Sequence, residues 1–215
     1  DGFLAPAVVN FLALLGWSPK DDSEILARDE LVRRFSLDGV NRKSAVFDFD
    51  KCRWFNGQYL HAADAKSLLP IAAPWFVAAG MADLPDDRKE HVLDLVKVKI
   101  RTLNELPDWL AFFIPGVPVV AADAAEKLAA DPRHAEIAGA LLGALTTVHP
   151  SQWNADAVKE AVATAADALG LKAGKLMLPL RVLVTGRLSG PDLLPLMEFL
   201  GQAECVARVQ ATVSQ

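Results

Sequence analysis

The stretch 173–190, AGKLMLPLRVLVTGRLSG, sets the fold question for the whole chain. Its middle, RVLVTG at 181–186, is rich in β-branched residues and reads as a strand. It is the one such run and is too isolated to build a sheet. The rest of the chain is mostly helical in pattern, so the expected class is all-α, in two or three packed helical subdomains. The same stretch poses a question of function. Lys172, Lys175, Arg181 and Arg187 enter an otherwise apolar run, with no carboxylate between Asp167 and Asp192. Basic side chains on a core-packing segment either extend their heads to water or meet an anion.

Outward from that stretch, the punctuation is that of helices. PAVVNFLALLG carries apolar residues at helical spacing and ends at Gly16, a C′-type position. RDELVRRF is a short helix, NRKSAVFDFD an extended or turning link, and DKCRWFNGQYLHAA a further helix in which Gly57 costs up to about 1 kcal/mol relative to alanine. PDDRKEHVLDLVKVKIRTL has acids early and bases late, the order that suits a helix dipole, with Val92, Leu93, Val96, Ile100 and Leu103 on one face. NELPDWLAFFI is shorter and closes in the loop IPGVPVV. Ala-rich helices follow, with Pro132 and Asn154 at starts and Gly170 at a stop, and GPDLLPLMEFLG and QAECVARVQATV end the chain as two short helices.

With 215 residues, 52% of them apolar, the chain can build one or two cores. A net charge of −5 argues against indiscriminate coating of nucleic acid but leaves room for a local basic face. Cys52 and Cys205 stand far apart without metal-ligand spacing, which fits a reducing cytosol. SLLPIAAPWFVAAGMA is broken by Pro70 and Pro74, and IAGALLGALTTVHPSQWNA turns polar after Thr146, so neither is expected to span a membrane. The start at Asp1, without Met or a basic leader, gives no sign of a signal peptide and suggests a fragment or a processed chain.

The most enzyme-like string is AVFDFDKC. Its Asp48-x-Asp50 resembles the first motif of haloacid-dehalogenase-type phosphatases, and Thr185 after RVLV imitates the second. That chemistry also needs a later lysine and a later acid pair. After Thr185 there is no lysine, and Asp192, Glu198 and Glu204 are well separated. The plainer expectation is that Asp48 and Asp50 cap a helix. His61, His91, His134 and His149 lie on separate segments, no phosphate-loop motif is present, and the five tryptophans (Trp17, Trp54, Trp75, Trp109, Trp153) are expected as core anchors. In KVKIRTL, Lys97 and Arg101 are four apart on one expected helical face while Lys99 projects elsewhere. Composition leaves both basic clusters open between solvated helix ends and contacts to phosphates or base edges.

Taken in order, NFLALLGWSP, AVFDFDKCRWFNGQYL, IRTLNELPDWLAFF and GLKAGKLMLPLRVLVTGR resemble bacterial glutamyl-tRNA synthetases over essentially the whole chain. The most specific strings are FD-x-x-K-x-x-W-x-N-G-x-Y, Phe47 to Tyr59, and PLR-x-x-x-TG, Pro179 to Gly186. The resemblance implies a helical stem-contact region at 1–68 and two anticodon-binding subdomains at 69–149 and 150–215. It implies a parent that charges tRNA with glutamate, using ATP and magnesium bound in a catalytic half whose HIGH-type and KMSKS-type motifs do not occur here; NRKSA is the nearest string, in the wrong context. The chain itself then carries no catalytic residue, metal or cofactor and binds tRNA without charging it. Arg181 matches an arginine that reads the first anticodon base, with Thr185 and Arg187 on the same segment. Lys99 stands where discriminating members carry an arginine that senses the third base, and Arg101 could compensate. Lys97, Lys172 and Lys175 are weaker candidates for the tRNA backbone. The implied partner is glutamate tRNA, with glutamine tRNA also open, and the chain is expected to be a cytoplasmic monomer binding neither DNA nor membrane. A free-standing, non-catalytic paralogue is the alternative.

Overall fold

The computed structural model describes residues 2–41 and 45–213. The centre of NRKSA, residues 42–44, lies outside them. Among the described residues there are helices and one isolated bridge, between Trp17 and Val40, and no sheet. The all-α expectation is met. The chain packs as two compact units, 1–110 and 111–215.

The first unit opens with α1 (Ala5–Gly16), α2 (Arg28–Arg34) and α3 (Phe49–Ala62). Gly16 closes α1 as its last residue rather than as a left-handed C′, and Trp17 leaves in extended backbone. Phe11 of α1 packs against Cys52 and Phe55 of α3, with the two phenyl rings edge to face at 5.7 Å. Asp48 caps α3 by accepting from Lys51 N at 3.0 Å, and Asp50 sits in the first turn beside Arg53. With no sheet among the described residues to carry a nucleophile, the phosphatase-like string is a helix start.

α4 (Ala65–Ala78), α5 (Asp86–Val96) and α6 (Leu106–Leu110) form the remainder of this unit. Pro70 and Pro74, read from sequence as breaks, lie inside α4. Each removes an internal N–H, a cost of up to about 3 kcal/mol. Both are on the exposed face, where water can satisfy the freed carbonyls, while Leu68, Ala72 and Phe76 on the other face are buried. No helix of the described residues is long and apolar enough to cross a membrane.

α5 stops earlier than its pattern predicts. It ends at Val96, and 97–102 turn away into a capping box in which Thr102 and Glu105 satisfy each other's backbone. Ile100 and Leu103 are still buried, so the apolar pattern reported burial correctly and helix length wrongly. Lys97 and Arg101 therefore do not share a helical face.

The second unit holds α7 (Ala122–Ala129), α8 (His134–Thr147), α9 (Ala155–Ala168), α10 (Ala173–Thr185), α11 (Leu193–Leu200) and α12 (Gln202–Val213). Leu141, Leu145, Val158, Val162, Leu176, Leu180, Leu183, Met197 and Val209 bury together in one core to which α8 to α12 all contribute. α8 and α9, which flank residues 149 and 150, belong to that common core. The strand-like RVLVTG is the last turn and a half of α10. Val182, Leu183, Val184 and Thr185 are all buried, and a helix packed on every side overrides the modest helix penalty of β-branched residues. Trp153 anchors this unit by donating from Nε1 to Met197 O at 2.8 Å. Trp17 is buried and Trp75 and Trp109 partly so, whereas Trp54 faces outward.

Candidate nucleic-acid interface

α10 ends in a glycine cap that shapes the turn after it. Gly186 has φ +68°, and its N–H donates to Val182 O at 2.8 Å. A β-carbon there would stand 2.5 Å from Val119 O, and Gly186 O accepts from Ala121 N at 2.9 Å. Only glycine meets both the left-handed backbone and this close approach. Thr185, 4% exposed, donates its hydroxyl to Arg181 O at 2.7 Å and accepts from Arg187 N at 3.2 Å. Its side chain orders the cap and is not presented to solvent. Arg187 emerges exposed beyond it.

Arg181 lies half-buried between α10 and the returning chain at 190–192. Its Nη1 donates to Pro191 O at 2.9 Å. A β-carbon on Gly190 would stand 3.0 Å from the Phe112 ring and 3.4 Å from Arg181 Nη1, so Gly190 lets chain, ring and guanidinium converge. Burial lowers the Arg181 pKa from its ordinary value, and the charge of Asp192 opposes that shift without cancelling it. The group remains a cation at neutral pH, partly stripped of water and held in one place. Such a cation gains more from an incoming planar acceptor than a solvated one, because part of its desolvation is already complete.

The wall beside it is fixed by a residue that the sequence reading passed over. Arg208 of α12 is 2% exposed. Its Nη1 donates to Phe112 O and Val184 O, both at 3.2 Å, its Nη2 to Ile114 O, and its Nε to Glu204 at 2.8 Å. Glu204 also accepts from Gly116 N at 2.7 Å. Burial pushes the Glu204 carboxyl up, but the Arg208 and Gly116 hydrogen bonds and the Arg208 charge together hold it below the usual glutamate range.

The second basic cluster belongs to the other compact unit. Lys97 is used internally: its Nζ meets Asp94 at 2.8 Å and donates to Ala63 O at 2.7 Å, closing the C-terminus of α3. Lys99 and Arg101 are exposed on the turn after α5. Their backbone is held by Asn56, fully buried, whose Nδ2 donates to Arg101 O at 2.6 Å and whose Oδ1 accepts from Leu4 N at 2.7 Å. Gly57 packs beside the Arg101 stem, whose Cγ would be at an ordinary contact distance of 3.6 Å from a β-carbon there. Tyr59 completes the motif by reaching Leu26 O at 2.7 Å. The F-D…N-G-x-Y string is thus scaffold for a basic turn rather than a contact surface in itself. Lys172 and Lys175 lie exposed at the start of α10. Among the described residues no group of acids, histidines and cysteines could hold a metal ion.

The anticodon binding domain family matches residues 65–213. The chain belongs to that family. It is 37% identical over 211 residues to a glutamate–tRNA ligase of Akkermansia muciniphila, covering 98% of this chain and 47% of that protein. A glutamate–tRNA ligase of Nitrosospira multiformis is likewise 37% identical, over 97% of this chain and 44% of its own length. The crystal structure of a glutamate tRNA ligase from Elizabethkingia meningosepticum, in complex with its amino acid, superposes with a TM-score of 0.88 at 31% identity, covering all of this chain and 42% of that one. The chain therefore corresponds to the C-terminal part of such ligases and spans less than half the length of these relatives.

Proposed function

We propose that this anticodon-binding domain reads the anticodon of glutamate tRNA as part of a glutamate–tRNA ligase. The observation that carries the reading is the seat of Arg181, a half-buried cation walled by Phe112, Gly190 and Pro191. Anticodon bases can be splayed out and read on their edges, and an immobilised guanidinium suits that task. In this reading Arg181 meets the first base. Thr185 and the Gly186 cap position it, and Arg187, Lys172 and Lys175 face the phosphate backbone. Lys99 and Arg101 approach the third base, and Lys97 supports them through its bond to Ala63. The stem-contact and two anticodon-binding segments are 1–68, 69–149 and 150–215. A lysine at 99 offers a point charge in place of a planar fork, so glutamine tRNA is admitted more readily than an arginine would allow. ATP and magnesium act elsewhere in the full-length ligase. The domain works as a cytoplasmic monomer, without DNA or membrane as partner.

The test is titration of the chain against glutamate tRNA and a copy altered at all three anticodon bases, at two salt concentrations. Arg181→Ala is expected to weaken binding to the unaltered tRNA by about 1–3 kcal/mol, roughly 5- to 150-fold, and to erase the preference between the two. Equal and equally salt-sensitive binding of both tRNAs by the unsubstituted chain would leave only a phosphate-binding surface and reject the anticodon reading.

A further inference from the structure

On the face of α10 that carries Lys175, Leu178, Pro179 and Val182, and without Arg181 in its lining, the second unit has a cavity of about 440 Å³ between α7, the 130–134 turn and α10. Its size is that of a small-molecule site, about 300–1,000 Å³. Leu128, Ile137, Leu178, Pro179 and Val182 supply an apolar lining, and Lys127 and Lys175 enter it from α7 and α10. Neither lysine's ammonium group has a hydrogen-bond or ion-pair partner among the described residues. Asp131, the lining acid, is engaged: its Oδ1 accepts from Arg133 N at 2.8 Å.

Two further features favour an anion-bearing ring. Lys175 lies in the first turn of α10, which contains no acid, and Lys172 precedes that turn as its N-cap. A helix dipole disfavours cations at that end, so both lysines stand where an anion would relieve them. His134 meets Asp131 O through Nδ1 at 2.9 Å. A carbonyl only accepts, so Nδ1 donates in this bond, and the tautomer with its proton on Nδ1 leaves Nε2 as an acceptor for a hydroxyl or amine.

We propose that this cavity takes one unstacked nucleotide of an RNA strand, the base against the apolar lining and its two flanking phosphates at Lys127 and Lys175. The RNA partner rests on the tRNA reading above; the cavity itself is separate from the Arg181 seat. His134 supplies a ring that can stack and an acceptor for a ribose hydroxyl. Two phosphates matched by lysines from opposite walls select a nucleotide within a strand over a free monophosphate.

The experiment uses the whole chain and a short unstructured oligoribonucleotide carrying 4-thiouridine. Photo-crosslinking followed by peptide mass spectrometry should place the adduct within 127–137 or 175–179, and not at Arg181. Lys127→Gln with Lys175→Gln should lower affinity for the oligonucleotide at least tenfold and reduce its salt-dependence slope by about 1.4, the single-strand value for two phosphates, while the thermal melt is unchanged. Unchanged affinity, or crosslinks confined elsewhere, overturns the proposal even if Arg181→Ala still weakens tRNA binding. Free cytidine monophosphate competing as well as the oligonucleotide assigns the cavity to a nucleotide and overturns an RNA strand. Crosslinks here without any anticodon preference would instead keep the cavity and reject the anticodon reading.

Discussion

Arg208→Ala should destabilise residues 111–215 by about 3–5 kcal/mol, the range expected when one partner of a buried charged network is removed. The side chain is 2% exposed and bonds to three carbonyls and one carboxylate. Its loss strands Phe112 O, Val184 O and Ile114 O and leaves Glu204 without its counter-charge. Against the 5–15 kcal/mol that holds a typical domain folded, this is a large fraction. Urea denaturation gives the magnitude, and amide exchange gives the place: protection should fall around 112–116 and the end of α10, while 2–110 keeps its own. A loss below about 1 kcal/mol would mean that Arg208 is solvated and the network marginal. The pH dependence has a definite sign. The folded Glu204 carboxyl titrates below its ordinary range, so its contribution is complete above the unfolded value and is lost as pH falls through the folded one. Glu204→Gln should flatten the stability curve in that acid window and leave neutral pH as the place where the loss is felt.

The consequence extends to Arg181. The carbonyl of Phe112, whose ring walls the Arg181 seat, is one of the three held by Arg208. Releasing it frees that wall without touching the guanidinium, so an Arg208 variant that still folds should weaken anticodon reading indirectly. The stability and function of this unit meet in one buried arginine.

Much of this was legible in the sequence because helices announce themselves locally. The Asn154 cap, the Gly170 stop and the helical character of α8, α9, α11 and α12 follow from spacing and capping chemistry, and the ordered motifs pointed to the ligase family. What was not legible depends on contacts across long sequence separations. Arg208 within AECVARVQ carries no local sign of its role, because its carbonyl partners at 112 and 114 are more than ninety residues away. Lys97 looks free until Ala63 O is brought beside it. RVLVTG reads as strand because β-branched residues favour strands in the absence of packing, and only the surrounding core makes it helix. Thr185 matched a motif by position, but the structure gives its hydroxyl to the helix cap.

Asn56→Ala carries the second large effect, about 2–4 kcal/mol, because it leaves a buried N–H at Leu4 and a carbonyl at Arg101 without partners. Both groups lie far from Asn56 in sequence, so the amide ties the start of the chain to the turn after α5. Denaturation of the variant should show the loss, and exchange should quicken at Leu4 and around 97–105. If exchange changes at neither place, Asn56 is not the tie. The functional arm separates placement from contact. Arg101→Ala removes an exposed head and should cost binding with little change in stability, whereas Asn56→Ala removes no charge and should loosen the turn that presents Lys99 and Arg101. In the anticodon reading, both variants should blur discrimination at the third base. Only the Asn56 variant should do so with an intact set of charges and an unchanged salt-dependence slope, because counterion release follows the number of phosphates neutralised and not how firmly the turn is held.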